Sequence, residues 1–157
     1  MSSKVFDFKV QLAYGPQAQK DFHDIYHRPL VAADTLAYDF KVVSTGERLE
    51  LKTDDWDHEK TENFFFERYS AWERQSPGGP WQSRSKRVNV FVYYFARNGI
   101  YYQFSDIKRL CKVLDRIIRK EKLGLVLIKN KGYHTAGYKV RRDLLEELYD
   151  VYEVPGI

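Results

Sequence analysis

Three patterns predict an α/β fold in a single domain. Short runs alternate apolar and polar residues, an Asn-Gly turn joins two aromatic runs, and a capped amphipathic helix follows them. The chain's 157 residues suffice for one core. From Ser2 to Tyr14, Phe6, Phe8, Val10 and Leu12 alternate with Asp7, Lys9 and Gln11, which predicts a half-buried strand. Gly15-Pro16 then opens a helix, since proline is tolerated in a first turn. Its apolar stripe is Ala18, Phe22, Ile25 and Tyr26, and Pro29 ends it. His23 and His27 stand at i and i+4, a spacing open to a metal. Without a carboxylate motif beside them they read as surface or partly buried residues.

Leu36 to Asp54 (LAYDFKVVSTGERLELKTD) reads as two short strands joined by a tight turn at Thr45-Gly46. Strand side chains alternate faces, so Tyr38, Phe40 and Val42 oppose Asp39 and Lys41, while Leu49 and Leu51 oppose Glu50 and Lys52. That turn would pair Asp39 with Lys52 and Lys41 with Glu50. One face of the hairpin is then apolar, and the other gathers two carboxylates and two amines. On an exposed hairpin such a face forms solvated ion pairs with no further role. The chemical alternative is a divalent-metal site, because two converging carboxylates suit a hard cation such as Mg²⁺. A lysine beside them can orient or deprotonate the attacking water, or neutralise charge on a phosphate.

Thr53 to Thr61 (TDDWDHEKT) reads as a charged loop. Asn63 to Ser70 (NFFFERYS) is strand-like from its aromatics, with Phe64 and Phe66 toward a core and Phe65 and Glu67 on the other side. Glu67 is either a rim carboxylate or a member of the hairpin's polar cluster. Ala71 to Arg87 contains Ser-Pro-Gly-Gly-Pro, which predicts an irregular loop. The loop carries Trp72, Trp81, Arg74, Arg84, Lys86 and Arg87. Such cations neutralise phosphates and such rings stack on bases, whereas the plainer reading has the tryptophans anchoring the loop to the core. Val88–Ala96 and Ile100–Phe104 form a hairpin about Asn98-Gly99, the first strand being apolar on both faces as an inner strand is. Ser105-Asp106 caps a helix to about Lys122, with Ile107, Leu110, Cys111, Leu114, Ile117 and Ile118 inward. Its outer face is dominated by cations, including Arg116, Arg119 and Lys120, which leans toward a phosphate backbone. Leu123–Lys129 reads as a buried strand and Tyr133–Val140 as another, with Lys131 in the turn between them. His134 reads as structural, with DNA or the site as the alternative. Asp143 to Tyr152 reads as a last short helix, stopped by Pro155-Gly156.

The formal net charge of +4 favours an anionic partner without demanding one. One cysteine, Cys111, rules out an internal disulfide or a cysteine zinc cluster, and on the apolar stripe it reads as core. No run is long and apolar enough to span a bilayer, and the N-terminus lacks an apolar signal segment, so no membrane partner is expected. The expected compartment is reducing and aqueous, that is, cytoplasmic (the host cytoplasm for a viral chain).

Asp39, ten intervening residues, then Glu50-Leu51-Lys52 on the second strand of a hairpin resembles the PD-(D/E)XK nuclease superfamily. The likeness extends to its phage and archaeal-like Holliday-junction-resolvase members. These show a helix behind a Gly-rich turn, then Asp, then Glu-x-Lys, an acidic third strand, and a further strand and helix. GPQAQKDF (from Gly15), TENFFFERYS (from Thr61), RVNVFVYYF (from Arg87) and the helix from Ser105 correspond, over roughly residues 10 to 140. Two positions depart: Tyr38 stands where the motif has Pro, and the first-helix acid of many members falls at Gln19. Asp21, Asp24 or Glu67 would then complete the metal shell.

The resemblance implies a restriction-endonuclease-like core, a central mixed sheet of about five strands flanked by helices. It implies a Mg²⁺-dependent endonuclease, with Mn²⁺ as a substitute, that hydrolyses DNA phosphodiesters. Asp39 and Glu50 would bind the metal, Lys52 would orient the water or stabilise the pentacoordinate phosphate, and Gln19 and Glu67 are secondary candidates. The substrate it implies is a four-way junction, cut by a homodimer with two sites. Arg74, Trp81, Arg84, Lys86, Arg87, Arg116, Arg119, Lys120 and Lys131 are the candidate DNA contacts, and Tyr101, Tyr102 and Trp81 are candidates for a dimer surface. The alternatives are a DNA-binding module of the same fold without the chemistry, a less structure-specific phage or repair nuclease, and a regulator that binds a protein through its aromatic loop.

Overall fold

The computed structural model describes Gln17 and residues 19–154. The expected strand over Ser2–Tyr14, the Gly15-Pro16 helix start, Ala18 and the Pro155-Gly156 stop lie outside the described residues. In chain order the elements are α1 (residues 19–25), β1 (Leu30–Ala32), β2 (Phe40–Val42), β3 (Arg48–Asp54), β4 (Asn63–Ala71), β5 (Ser76–Pro77), α2 (Gly79–Ser85), β6 (Val90–Phe95), β7 (Ile100–Phe104), α3 (Ile107–Lys120), β8 (Val126–Lys129), β9 (His134–Arg141) and β10 (Tyr149–Glu153).

These make an α/β fold with two sheets rather than one of about five strands. The larger runs β1-β2-β3-β6-β7-β10 and is mixed: β3 and β6 are parallel, and the other neighbours are antiparallel. The smaller, β5-β4-β9-β8, is antiparallel and comes partly from the excursion between β3 and β6. A parallel pair needs such a crossover, and here it carries β4, β5 and α2.

Every residue of β6 is buried, as its uninterrupted apolar run predicts for a strand covered on both faces. Val90, Val92 and Tyr94 point to one side, where they meet Phe40, Val42, Leu49, Leu51 and Phe22 of α1. Phe91, Tyr93 and Phe95 point to the other, against Phe64 and Phe66 of β4 and Val140 of β9, in a cluster that also takes Leu110, Cys111 and Leu114 of α3. Asp106 caps α3 by accepting from the Arg109 N–H.

Several expectations are corrected. The β2–β3 turn takes residues 43–46 instead of two, with Val42 N–H donating to Glu47 O and Gly46 N–H to Val42 O. Phe40 therefore lies opposite Leu49 and Lys41 opposite Arg48, two residues from the expected register. A slip of two keeps each side chain on its face but changes its neighbour. Tyr38, just before β2, belongs to the core cluster that contains Phe64 and Phe91 rather than to the one on the Phe40 side.

Ser-Pro-Gly-Gly-Pro is not an irregular loop. Ser76-Pro77 pairs with β4, and Gly79-Pro80 starts α2, where a proline costs no hydrogen bond. β8 is a half-exposed edge strand with Leu127 50% exposed, not a buried one. Past a short 3-10 turn at Arg142–Leu145, the expected final helix is instead β10, paired with β7 from Tyr149↔Phe104 to Glu153↔Ile100. The open edge of β7 gives these residues a full ladder, and Tyr152 stacks on Tyr101 at 5.0 Å and on His27 at 4.2 Å.

The aromatic dimer surface is also corrected: Tyr101, Tyr102 and Trp81 are only 1%, 5% and 3% exposed. His23 and His27 do not converge. One ring nitrogen of His23 lies 2.9 Å from Leu30 O, while His27 bonds the Tyr101 hydroxyl. No helix among the described residues is long and apolar enough to cross a membrane.

Candidate active site

Period-two geometry on β3 sends Leu49 and Leu51 to the α1 side and Glu50 and Lys52 to the face shared with Phe91 and Tyr93 of β6. Asp39 reaches that end of the sheet from the residue before β2. Its backbone is tied on both sides, N–H to Leu49 O and carbonyl to Ala33 N–H, each at 3.0 Å. Its carboxylate is held as firmly: Oδ2 accepts from the Leu51 N–H at 2.8 Å and Oδ1 from Gln19 Nε2 at 3.0 Å. The shifted register thus places Asp39 against Glu50 instead of Lys52.

The two carboxyl groups hydrogen-bond each other. Burial raises the Asp39 carboxyl, opposed by the bonds from Leu51, Glu50 and Gln19. Glu50 is pushed up to about 8 by burial and then by the Asp39 charge, with Lys86 pulling the other way. At neutral pH the pair therefore holds one proton between its two carboxyls, because two adjacent buried carboxylates cannot both ionise cheaply.

Lys52 Nζ lies 3.9 Å from Glu67 Oε1, both side chains being about one-third exposed. Together with Glu50 they line a cavity of about 120 Å³ between β3, β4, β6 and α2. At its wall two glycines let α2 press against β4. A Cβ on Gly79, whose φ is +49°, would sit 2.6 Å from Glu67 O, and one on Gly78 would sit 2.9 Å from Ser70 N. Only glycine allows so close an approach in that conformation.

Asp39, Glu50, Lys52, Gln19 and Glu67 are thus brought to one place. Of the expected DNA contacts, Lys86 lies close enough to act on Glu50. Arg84 and Arg87 are exposed on and just after α2, Arg74 beside β5, Lys131 in the β8–β9 turn, and Arg116, Arg119 and Lys120 along α3. Trp81 is corrected. Its ring is buried and Nε1 donates to Asp115 Oδ1 at 3.0 Å, so it anchors α2 to α3 and has no face free for a base. His134 pairs with Glu73 at the start of β9, away from the carboxylates. Cys111 is core, its thiol pushed up to about 11 by burial.

Two features escaped sequence reasoning. Gln82 of α2 lines the cavity, in a stretch read as loop. Asp54 is buried, accepting from the Tyr93 hydroxyl, which in turn accepts from the Phe65 N–H at 2.9 Å. For Asp54 the signal was present, since the alternation that pairs Glu50 with Lys52 continues to it.

Asp39 and Glu50 are the groups able to hold a metal. No cluster of three or more His, Cys, Asp or Glu suited to a metal occurs among the described residues. The donor set fits a hard divalent ion that keeps most positions for water or phosphate oxygens. Two crowded carboxyls, one kept protonated for want of positive charge, are what such an ion would relieve. No protein-family model, no curated protein and no solved structure matches the chain.

Proposed function

We propose that the chain is a metal-dependent DNA endonuclease of the PD-(D/E)XK type, using Mg²⁺ or Mn²⁺ to hydrolyse phosphodiester bonds. The observation that carries this reading is the Asp39–Glu50 carboxyl pair with Lys52 one step along the same face, beside a polar cavity. The order of parts also suits it: α1 with Gln19, then Asp39, then Glu50 and Lys52, then Glu67 on the following strand. A four-way junction as substrate and a homodimer as the working form follow from the family resemblance.

Asp39 and Glu50 would hold the ion, and the chemistry it would supply there is Lewis-acid activation of water and relief of charge on the phosphate. In hydrolysis the water oxygen bonds phosphorus as the ester P–O bond breaks, the water's proton passing to solvent and the departing oxygen taking one from solvent. Gln19 and the Leu51 N–H each bond one oxygen of Asp39 and so fix the orientation of its carboxylate. Lys52, steered by Glu67, donates to the phosphoryl oxygen on which charge accumulates. Arg84, Lys86 and Arg87 hold the flanking backbone.

The neutral Gln19, standing where an acid was expected, favours a second reading, a module that binds DNA without cutting it. A gel with a synthetic four-way junction, a duplex and a single strand, each with Mg²⁺ and with EDTA, decides. Metal-dependent cutting of the junction supports the resolvase, and cutting of all three supports a general nuclease. Shifted but intact DNA supports the binding module, and no interaction with any of them ends the nucleic-acid reading.

A further inference from the structure

The cavity beside the carboxyl pair has four polar side chains on its walls, and three of them are Glu50, Lys52 and Glu67. The fourth, Gln82, belongs to α2 and has no part in the metal and lysine chemistry above. Its backbone is fully used: its N–H donates to Gly78 O, and its carbonyl accepts from the Lys86 N–H, both at 3.0 Å, and from Ser85 Oγ at 2.8 Å. Its side-chain amide has no hydrogen-bond partner among the described residues, although the residue is half-buried. A half-buried amide without a protein partner faces either water or a ligand. The cavity holds several waters by volume, at about 10–15 Å³ of such space for each.

α2 is rigidly placed. Its start is pressed on Glu67 through Gly78 and Gly79, and its middle is fixed by Trp81, whose indole donates to Asp115 of α3. Residues i and i+4 share a helix face at about 5–6 Å between Cβ atoms. Gln82 and Lys86 are such a pair, joined by the Lys86 N–H to Gln82 carbonyl bond, and Lys86 is exposed. One wall of the site therefore carries a neutral donor in the cavity lining and, one helical turn along the same face, an exposed cation.

Resting on the nuclease reading above, we propose that α2 is the strand-holding wall of the site. Gln82 donates its side-chain N–H to a non-bridging oxygen of the phosphate being cut, and Lys86 pairs with the adjacent phosphate of the same strand. A glutamine suits the inner position because a carboxylate would repel phosphate and a further ammonium would compete with the metal for Asp39 and Glu50.

The test is steady-state cleavage by the full chain with Mg²⁺, using Gln82→Ala, Gln82→Glu and Lys86→Ala, each checked against wild type by circular dichroism and thermal melting. The substrate is whichever DNA the wild type cuts, made with and without a neutral methylphosphonate next to the scissile phosphate. Gln82→Ala should lower kcat about 10- to 100-fold with KM little changed, and Gln82→Glu should be no better, having lost the donor. Lys86→Ala should raise KM, and the methylphosphonate should penalise the wild type but add little to the Lys86→Ala defect. Wild-type kcat in both Gln82 variants, or equal methylphosphonate penalties with and without Lys86, overturns the proposal while leaving the nuclease intact. A wild type that cuts no DNA overturns the nuclease reading and this inference with it.

Discussion

Replacing Glu50 by glutamine should make the metal-free protein more stable at alkaline pH, not less. Glu50 titrates near 8 in the folded chain and in the ordinary glutamate range, near 4.5, when unfolded. Between those values the folded state holds a proton that the unfolded state has released. Stability therefore falls as pH rises through that window and is fully present only below it. Each pH unit is worth about 1.36 kcal/mol. The site is open to solvent on one side, so the full product is an upper bound, and a loss of about 2–4 kcal/mol between pH 5 and 8 is expected. Glutamine keeps the shape and the hydrogen bond to Asp39 without the ionisation, so the variant's profile should be much flatter. Urea unfolding in EDTA at several pH values measures it, the midpoint of the wild type dropping toward pH 8 while that of Glu50→Gln moves little. Saturating Mn²⁺ should cancel the wild-type decline, because a metal held by both carboxylates binds only the folded chain and favours the deprotonated pair. Parallel profiles for the two proteins would show that Glu50 is not buried against a second carboxylate, and the site geometry would be wrong.

Other substitutions test the surroundings. Alanine at Arg116, Arg119 and Lys120 together should weaken DNA binding and flatten its salt dependence by up to about 2.7 in logarithmic slope, about 0.9 for each phosphate no longer neutralised; an unchanged slope would remove α3 from the interface. Trp81→Phe should cost about 1–3 kcal/mol in a thermal melt, leaving Asp115 without its indole partner, with DNA affinity unaltered; a loss of affinity at unchanged stability would mean the ring does meet bases. Gly79→Ala should destabilise by about 2–4 kcal/mol, because its Cβ meets a backbone carbonyl at 2.6 Å in a left-handed conformation; a neutral outcome would show that α2 and β4 do not touch.

The site was legible from alternation to a degree set by geometry. Period two placed Glu50 and Lys52 on one face whatever the register, so a turn longer by two residues changed the partner of Asp39 without scattering the site. Turn length itself was hidden, because Val43-Ser44-Thr45-Gly46 closes a four-residue loop as readily as Thr45-Gly46 closes a shorter one. α2 was hidden for a different reason. Gly-Gly-Pro breaks most local structure, and only the close approach of Glu67, a residue far back in the chain, explains why those glycines open a helix. With α2 went Gln82 and the burial of Trp81. At the other end, Leu144, Leu145, Leu148 and Tyr152 repeat at helical intervals, yet the unpaired edge of β7 draws Tyr149–Glu153 into a ladder. Elements specified by their own pattern, such as β6, the Asn98-Gly99 hairpin and α3, came through; those decided by a distant partner did not.

Single-turnover cleavage of a four-way junction by the wild type, Glu50→Gln and Lys52→Ala, with binding to the same junction measured in parallel, bears most directly on the carboxylate–lysine site. Cutting by the wild type with Mg²⁺, and binding without cutting in both variants, is the expected result. Near-normal cutting by either variant, or an intact junction with the wild type at every Mg²⁺ and Mn²⁺ concentration, would contradict it.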